Sequence, residues 1–184
     1  MKRAVILAAP LLALAACTAD PGAPTVDTSP STTATTAPAP SSTQAGAATP
    51  PPEPEPVADG PCPYLTSTAV AEANGQHVTK VRISADKPTP ACFFYRPDGS
   101  VQLMVRVYQG DPATAKAVVD QAAPIDSSNP ANQPAGWKGG SVSGEENAVY
   151  AVAKDGVAVV VDSNQKQTIK ARRLAETTIT KLGL

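Results

Sequence analysis

A long segment that has no means of building a core limits where this chain can fold. The 44 residues from Thr18 to Pro61 are dominated by Pro, Thr, Ser and Ala, with no aromatic residue and almost no large aliphatic one. Such a segment buries too little apolar surface to offset the entropy lost on ordering. We therefore expect residues 17–61 to be a disordered tether, locally stiffened into polyproline II by the proline run at 50–56. A single globular domain should follow over 62–184.

The first 16 residues have the layout of a bacterial export signal. Lys2 and Arg3 supply a charged start, and an apolar run extends from Ala4 to Ala16. A membrane-spanning helix needs roughly 20 apolar residues, and the residues that follow Cys17 are polar or proline. We therefore interpret residues 1–16 as a cleavable signal peptide rather than a transmembrane helix.

The tetrapeptide at the end of this run resembles the lipobox of bacterial envelope lipoproteins. It reads Leu14-Ala15-Ala16-Cys17, with small residues that give a peptidase access to the backbone. The resemblance implies diacylglycerol on the Cys17 thiol and a mature chain anchored to the outer face of the cytoplasmic membrane. Each buried CH₂ of the anchor contributes about 0.8 kcal/mol, so two or more acyl chains hold a protein stably.

The charge of the domain argues against nucleic acid as a partner. Without the signal peptide the chain has 13 basic and 16 acidic residues, and five of the acids lie in the tether. The domain from Cys62 onward therefore carries 13 basic and 11 acidic residues, a formal charge near +2. These basic residues are scattered and are not interleaved with aromatic residues, so the sequence predicts no basic patch to which nucleic acid could bind.

The cysteines left after Cys17 indicate a structural disulfide. Cys62 and Cys92 form an even pair in a domain expected to be exported, where disulfides persist. Closing a loop of about 30 residues contributes roughly 3–4 kcal/mol on the chain-entropy model. A redox role would favour a close Cys-x-x-Cys pair, which is missing. Two cysteines and one histidine also make a poor zinc site, so we expect no metal and no cofactor.

The domain has the pattern of an α+β fold. Alternating apolar residues such as Val101 and Leu103 indicate strands, and Asp111 followed by Pro112 is a strong helix start. The near-continuous apolar run at 157–161 is typical of a central strand. The predicted elements begin with a short helix that has Thr66 or Ser67 as N-cap and stops at Asn74-Gly75. There follow, in order, strands over 77–84, 91–96 and 101–108, a helix over 112–123, a hairpin over 148–162 with its turn at Lys154-Asp155-Gly156, and a helix over 167–182. We expect an antiparallel sheet of about five strands with the helices packed on one face.

The stretch from Pro124 to Asn147 is long for a connection between predicted elements. Loops beyond about 12–15 residues in compact domains tend to be functional or disordered, and this one holds the single tryptophan of the chain. Trp137 is open to two interpretations: a binding platform or interface anchor, or a plug at the edge of the core that pins the loop. The first defines a candidate binding loop of Trp137, Lys138, Gly139 and Gly140.

Patterns that would indicate catalysis are weak. His77 is the single histidine and opens a predicted strand, a position that is more often structural than catalytic. The sequence Ser141-Val142-Ser143-Gly144 is a fragment of a Gly-x-Ser-x-Gly elbow and lies in the long loop. Adjacent carboxylates such as Glu145 and Glu146 usually point apart, and their neighbours indicate a solvated turn rather than a glycosidase pair. We therefore predict that the protein is not an enzyme.

Several motifs together resemble an uncharacterised family of envelope lipoproteins from Actinobacteria, largely mycobacteria and corynebacteria. The likeness covers Cys62 to Leu184. Besides the lipobox and the Ala/Thr/Pro tether, it is carried by Cys62-Pro63-Tyr64-Leu65, Ala91-Cys92-Phe93-Phe94-Tyr95-Arg96-Pro97-Asp98-Gly99 and Gly110-Asp111-Pro112. The resemblance implies the envelope location and the paired cysteines. It carries over no catalytic residues, because the family is a domain of unknown function.

Two hypotheses about function follow. The first is a non-enzymatic binding module, with a groove bordered by the 124–147 loop that takes an envelope lipid or glycolipid, or a protein partner. The second is an accessory or structural protein whose tether holds the domain beside an envelope complex. A ligand carrier needs a cavity, whereas a protein partner predicts an exposed apolar patch larger than the few hundred Å² normal for monomers.

Overall fold

The described part of the chain forms one eight-stranded antiparallel sheet with three helices. The computed structural model describes residues 48–184, so the predicted signal peptide, Cys17 and the tether as far as residue 47 lie outside the described residues. The sheet order is β1-β2-β3-β4-β8-β7-β6-β5. The strands are β1 (Ala58–Asp59), β2 (Lys80–Ile83), β3 (Cys92–Tyr95), β4 (Val101–Gln109), β5 (Asn129–Ala131), β6 (Lys138–Ser143), β7 (Ala148–Lys154) and β8 (Val157–Ser163). The helices are α1 (Ser67–Asn74), α2 (Pro112–Ala122) and α3 (Thr168–Leu182).

The α+β class and the antiparallel sheet are confirmed, but the sheet has eight strands rather than about five. The three strands that the pattern missed have little strand propensity of their own. β1 has two residues, β5 reads Asn-Pro-Ala, and β6 begins Lys-Gly-Gly. Pro and Gly are depleted in strands, and Pro is tolerated at an edge. These segments become strands because their backbone groups form hydrogen bonds with a neighbouring strand: β1 pairs with β2, β5 with β6, and β6 with β7.

The local signals that begin and end the helices are confirmed. The Thr66 hydroxyl accepts a hydrogen bond from the Ala69 amide at 3.2 Å. The Asp111 carboxylate accepts one from the Thr114 amide at 2.8 Å, and Pro112 occupies the first turn of α2. α1 ends at Gly75, whose φ of 71° is left-handed backbone that glycine adopts without strain.

The helices cover both faces of the sheet, so the prediction that they pack on one face is wrong. Val159 and Val161 of β8 belong to a core that also contains Leu174 of α3 and Val70 of α1. The intervening residues Ala158 and Val160 belong to a second core with Ala115, Val118 and Val119 of α2. Alternate residues of a strand point to opposite faces, which defines a first face under α1 and α3 and a second face under α2. The physical reason is that β8 is apolar on both sides and needs cover on both.

The predicted disulfide between Cys62 and Cys92 is present. It joins the segment before α1 to β3, with the two Cα atoms 5.6 Å apart. Close by, the Tyr64 hydroxyl lies 2.9 Å from the carbonyl oxygen of Pro90 and 3.2 Å from that of Val105. Burial raises the pKa of the Tyr64 phenol far above its ordinary value, so this group stays neutral and donates. The chain between the tether and α1 is thus fixed to the sheet at Cys62 and at Tyr64.

Residues 48–57, which we call the proline segment, are bound to the second face through a buried arginine. Arg106 of β4 is 8% exposed, and its Nη2 donates to the carbonyl oxygens of Pro51 at 3.2 Å and Pro52 at 2.9 Å. Polyproline II has no internal hydrogen bonds, so these carbonyls are free to accept. The Val57 amide then donates to the carbonyl of Ile83 at 3.0 Å, which leads the chain into β1. The structured region therefore begins before residue 62, where composition alone places the domain boundary.

Replacing both bridged cysteines should weaken the domain without changing its fold. For Cys62→Ser with Cys92→Ser we expect the free energy of unfolding to fall by about 3 kcal/mol, because the unfolded chain loses a cross-link. Urea denaturation monitored by circular dichroism measures this change. Reduced wild-type protein is the matched control, and an equal midpoint for the oxidised wild type and the double variant would contradict the prediction.

Removing the guanidinium that binds the proline segment should release that segment. Arg106→Met keeps the buried stem but loses two hydrogen bonds to carbonyls, for which we expect a loss of about 1–3 kcal/mol. The amide of Val57 should also exchange faster with deuterium, as measured by NMR. Arg96→Met is the control, because Arg96 pairs with Asp98 at the surface, where an ion pair contributes about 0–1 kcal/mol. Equal exchange at Val57 in all three proteins would show that Arg106 does not hold the segment.

Candidate ligand-binding cleft

An open cleft of about 410 Å³ lies on the second face of the sheet, beside α2. Its floor is apolar and includes Val119 and Ala123, which are buried, and Ala153 of β7. Polar and charged side chains stand around this floor. The lining residues are Pro112, Lys116, Val119, Asp120, Ala123, Ile125, Ser128, Pro130, Lys138, Gly139, Ala153, Lys154, Asp155 and Gly156. The volume falls within the range of about 300–1,000 Å³ that is usual for small-molecule sites.

Two glycines of β6 allow α2 and the turn after it to approach the strand closely. A Cβ atom on Gly139 would overlap the backbone oxygen of Ala151 and come within 2.9 Å of Val119 Cγ1. A Cβ on Gly140 would lie 2.9 Å from the Ala123 Cβ. Side chains at these positions would therefore push α2 off the sheet. The glycines shape the wall of the cleft by packing and not by a phosphate-loop conformation.

Three lysines stand at the cleft, and they differ in their partners. Lys116 of α2 forms an ion pair with Asp120 one turn later. Lys138 at the start of β6 and Lys154 at the end of β7 are exposed and have no ion-pair partner among residues 48–184. Lys138 pairs with Ala153, and Lys154 follows Ala153 in β7, so the two lysines are diagonal neighbours at this end of the two strands. The cleft thus combines an apolar floor with two cations that are available to an anion.

Of the candidate binding loop, the structure brings Lys138 and Gly139 to the cleft and places Trp137 elsewhere. The stretch 124–147 is not an open loop, because it contains β5 and β6. Trp137 is 3% exposed and belongs to the core of the first face together with Tyr150. This burial favours the interpretation of Trp137 as a core plug over that of a binding platform. The Tyr150 hydroxyl donates to the carbonyl of Gln133 at 2.8 Å, which fixes the segment before Trp137 to β7.

Sequence reasoning missed the other half of the cleft. Lys154 was visible as part of the Lys-Asp-Gly turn between β7 and β8, and Lys116 as a residue on the polar side of α2. Neither position carries a local signal for binding. Ile125 is 75% exposed at the cleft rim, but a single exposed aliphatic residue is normal on a protein surface and gives no signal for binding.

The residues considered for catalysis are not gathered in one place. His77 is exposed, and its backbone carbonyl accepts from Gln102 Nε2 at 3.0 Å. Glu145 and Glu146 are exposed between β6 and β7, and the Ser143 hydroxyl donates to the carbonyl of Lys166 at 2.6 Å. Within residues 48–184, no three His, Cys, Asp or Glu side chains come together in a group that could hold a metal ion. In the same range, no helix has the length and apolarity needed to cross a membrane.

A smaller cavity of about 200 Å³ lies on the other flank of α2, between this helix and the proline segment. Asp162 of β8 lines it together with Arg106 and Glu53. Burial raises the pKa of Asp162, and the nearby charge of Glu53 raises it further, whereas a hydrogen bond from the Asn147 amide at 3.2 Å lowers it. This cavity is thus partly closed by the chain itself, which leaves the larger cleft as the more accessible site.

Comparison with known proteins identifies the family of the chain. A family model described as a domain of unknown function (DUF2020) matches residues 45–184. The chain belongs to the DUF2020 family. The DUF2020 match starts close to residue 48, where the described structure begins, so the proline segment is included in the family domain. No curated protein matches the chain.

Neutralising Asp162 should stabilise the domain at neutral pH. Below its ordinary pKa of 3.8 this side chain is neutral in both the folded and the unfolded chain. Because folding raises the pKa, the wild type loses free energy of unfolding as the pH rises through the folded value. Asp162→Asn should therefore gain stability over the wild type at pH 7, and the gain should vanish below pH 3.8. Urea denaturation at several pH values measures it, with exposed Asp126→Asn as the control. A gain that does not depend on pH would refute the assignment.

Truncating Trp137 should destabilise the whole domain. For Trp137→Ala we expect a loss of about 3–5 kcal/mol in the free energy of unfolding, which is typical for an aromatic residue removed from a core. Its exposed neighbour supplies the control, since Lys138→Ala should change stability by less than about 0.5 kcal/mol. Chemical denaturation of both variants makes the comparison. Equal free energies of unfolding for the two variants would show that Trp137 is an exposed binding platform and not a core residue.

Proposed function

We propose that this protein is a membrane-anchored, non-enzymatic binding module of the actinobacterial cell envelope. In this proposal Cys17 carries the lipid anchor, and the cleft beside α2 binds a small amphipathic anion such as the headgroup end of an envelope lipid or glycolipid. The lipobox-like Leu14-Ala15-Ala16-Cys17 sequence and the proline-rich segment that follows it support the anchor. The cleft geometry supports the ligand.

The observation that carries the proposal is the pairing of an apolar floor with two exposed lysines that have no ion-pair partner among the described residues. Val119, Ala123 and Ala153 offer a surface for a short apolar group. Lys138 and Lys154 stand at its border, where an anion would keep contact with water and still gain from both cations. A neutral apolar ligand would make no use of the lysines, and a small inorganic anion would make no use of the floor. An amphipathic anion uses both.

A titration with a simple probe of this chemistry tests the cleft. Octyl phosphate, used below its micelle-forming concentration, should bind to the chain from Thr18 to Leu184 and shift the NMR signals of α2 and β6. Octanol is the matched neutral probe and should bind more weakly. In the Lys138→Gln, Lys154→Gln double variant the affinity for octyl phosphate should fall severalfold, because each exposed ion pair contributes up to about 1 kcal/mol.

The Lys80→Gln, Lys87→Gln double variant removes the same charge away from the cleft and should bind as the wild type does. Equal losses of affinity for octyl phosphate in the two double variants would show an effect of net charge alone and would contradict the proposal. Native mass spectrometry of the chain, purified from an actinobacterial host without detergent, detects a natural ligand that stays bound. A reproducible adduct that disappears in the cleft variant identifies its mass.

The second candidate is a tethered accessory protein of an envelope complex. The exposed Ile125 at the rim of the cleft favours it, because an aliphatic side chain in this position can enter a pocket of a partner. Loss of a co-purifying protein on Ile125→Asp, with octyl phosphate binding absent in the wild type, would favour this candidate over the first.

A further inference from the structure

We infer that the outer side of α3 is a docking surface for the anionic headgroups of a bilayer, and that it turns the cleft away from the membrane. The inference rests on the proposed function in one respect, since the anchor at Cys17 is what would bring the domain to the membrane. The surface itself is defined by the exposed cations of α3 and of the residues just before it.

The C-terminal segment concentrates positive charge. Residues 164–184 hold five of the 13 basic residues that follow the signal peptide and a single acid, Glu176. The basic residues are Lys166, Lys170, Arg172, Arg173 and Lys181. Glu176 lies 3.4 Å from Arg172 Nε, which leaves the remaining four cations without an acidic partner among residues 48–184. Arg173, Lys166 and Lys181 are exposed.

An exposed aliphatic residue lies among these cations. Ile169 is 42% exposed and stands four residues before Arg173 on the same side of α3, while Lys166 precedes the first turn of the helix. An anionic membrane surface attracts a cluster of Lys and Arg, each contributing about 1 kcal/mol close to the surface.

The opposite side of the domain carries charges of both signs. The second face carries the proline segment with Glu53 and Glu55, and the cleft with Asp120 and Asp155 beside its lysines. Because α3 covers the first face and α2 the second, contact of α3 with anionic lipid would place the cleft on the side of the sheet away from the bilayer. The cleft would then open toward the outside of the membrane. The 30 residues from Thr18 to Ala47 can extend at most about 100 Å, which is ample for the domain to turn over.

Vesicle co-sedimentation of the unlipidated chain from Thr18 to Leu184 tests the surface without the anchor. This chain contains every described residue. It should sediment with vesicles of phosphatidylglycerol mixed with phosphatidylcholine, less so as salt is raised, and not with vesicles of phosphatidylcholine alone. Each cation near an anionic surface contributes about fivefold in partitioning, so Arg173→Gln with Lys181→Gln should reduce binding about 25-fold.

The matched control is again Lys80→Gln with Lys87→Gln, which removes two charges outside α3. Equal reductions in the two double variants, or equal binding to neutral vesicles, would overturn the inference. An absence of binding to either vesicle would also overturn it and would leave the basic helix as a surface for an acidic protein. The mass of the cellular protein reports separately whether Cys17 is lipidated, so a missing anchor and an inert helix give different results.

Discussion

The pairing of β4 with β8 is the contact on which the rest of the domain depends. In the sheet order, β1 to β4 form one antiparallel meander and β5 to β8 another, and these two central strands join them. Residue pairs from Leu103–Ser163 to Gln109–Val157 make this junction. Since β8 is apolar on both sides, the junction requires cover on both faces. α1 and α3 supply it on the first face, and α2 with the proline segment supplies it on the second.

The cleft is a consequence of how α2 makes its connection. This helix leaves the centre of the sheet after β4 and delivers the chain to β5 at the far edge, so it must cross the second face. Its two flanks then meet different neighbours. Val118 and Ala122 border the small cavity at the proline segment, while Val119 and Ala123 form the floor of the open cleft. One flank is closed by the chain itself, and the other is left for a ligand.

Sequence patterns predicted the elements whose signals are local. Caps such as Thr66 and Asp111, and the alternation in β4, depend on residues a few positions apart, so they could be recognised in the chain alone. β6 could not be predicted in this way, because its glycines are explained by the approach of α2. The same applies to the cleft. Lys138 was included in a candidate loop for the sake of Trp137, yet its partner at the cleft, Lys154, belongs to a different strand.

The sequence by itself determined the α+β class, the cysteine pair and the capped starts of α1 and α2. These properties depend on composition and on short-range geometry. Only the tertiary structure decided that helices cover both faces, that Trp137 is buried, that Arg106 binds the proline carbonyls, and that Lys138 and Lys154 border one cleft. The physical reason is that each of these depends on contacts between residues distant in the chain, and such contacts leave no periodic pattern in the sequence.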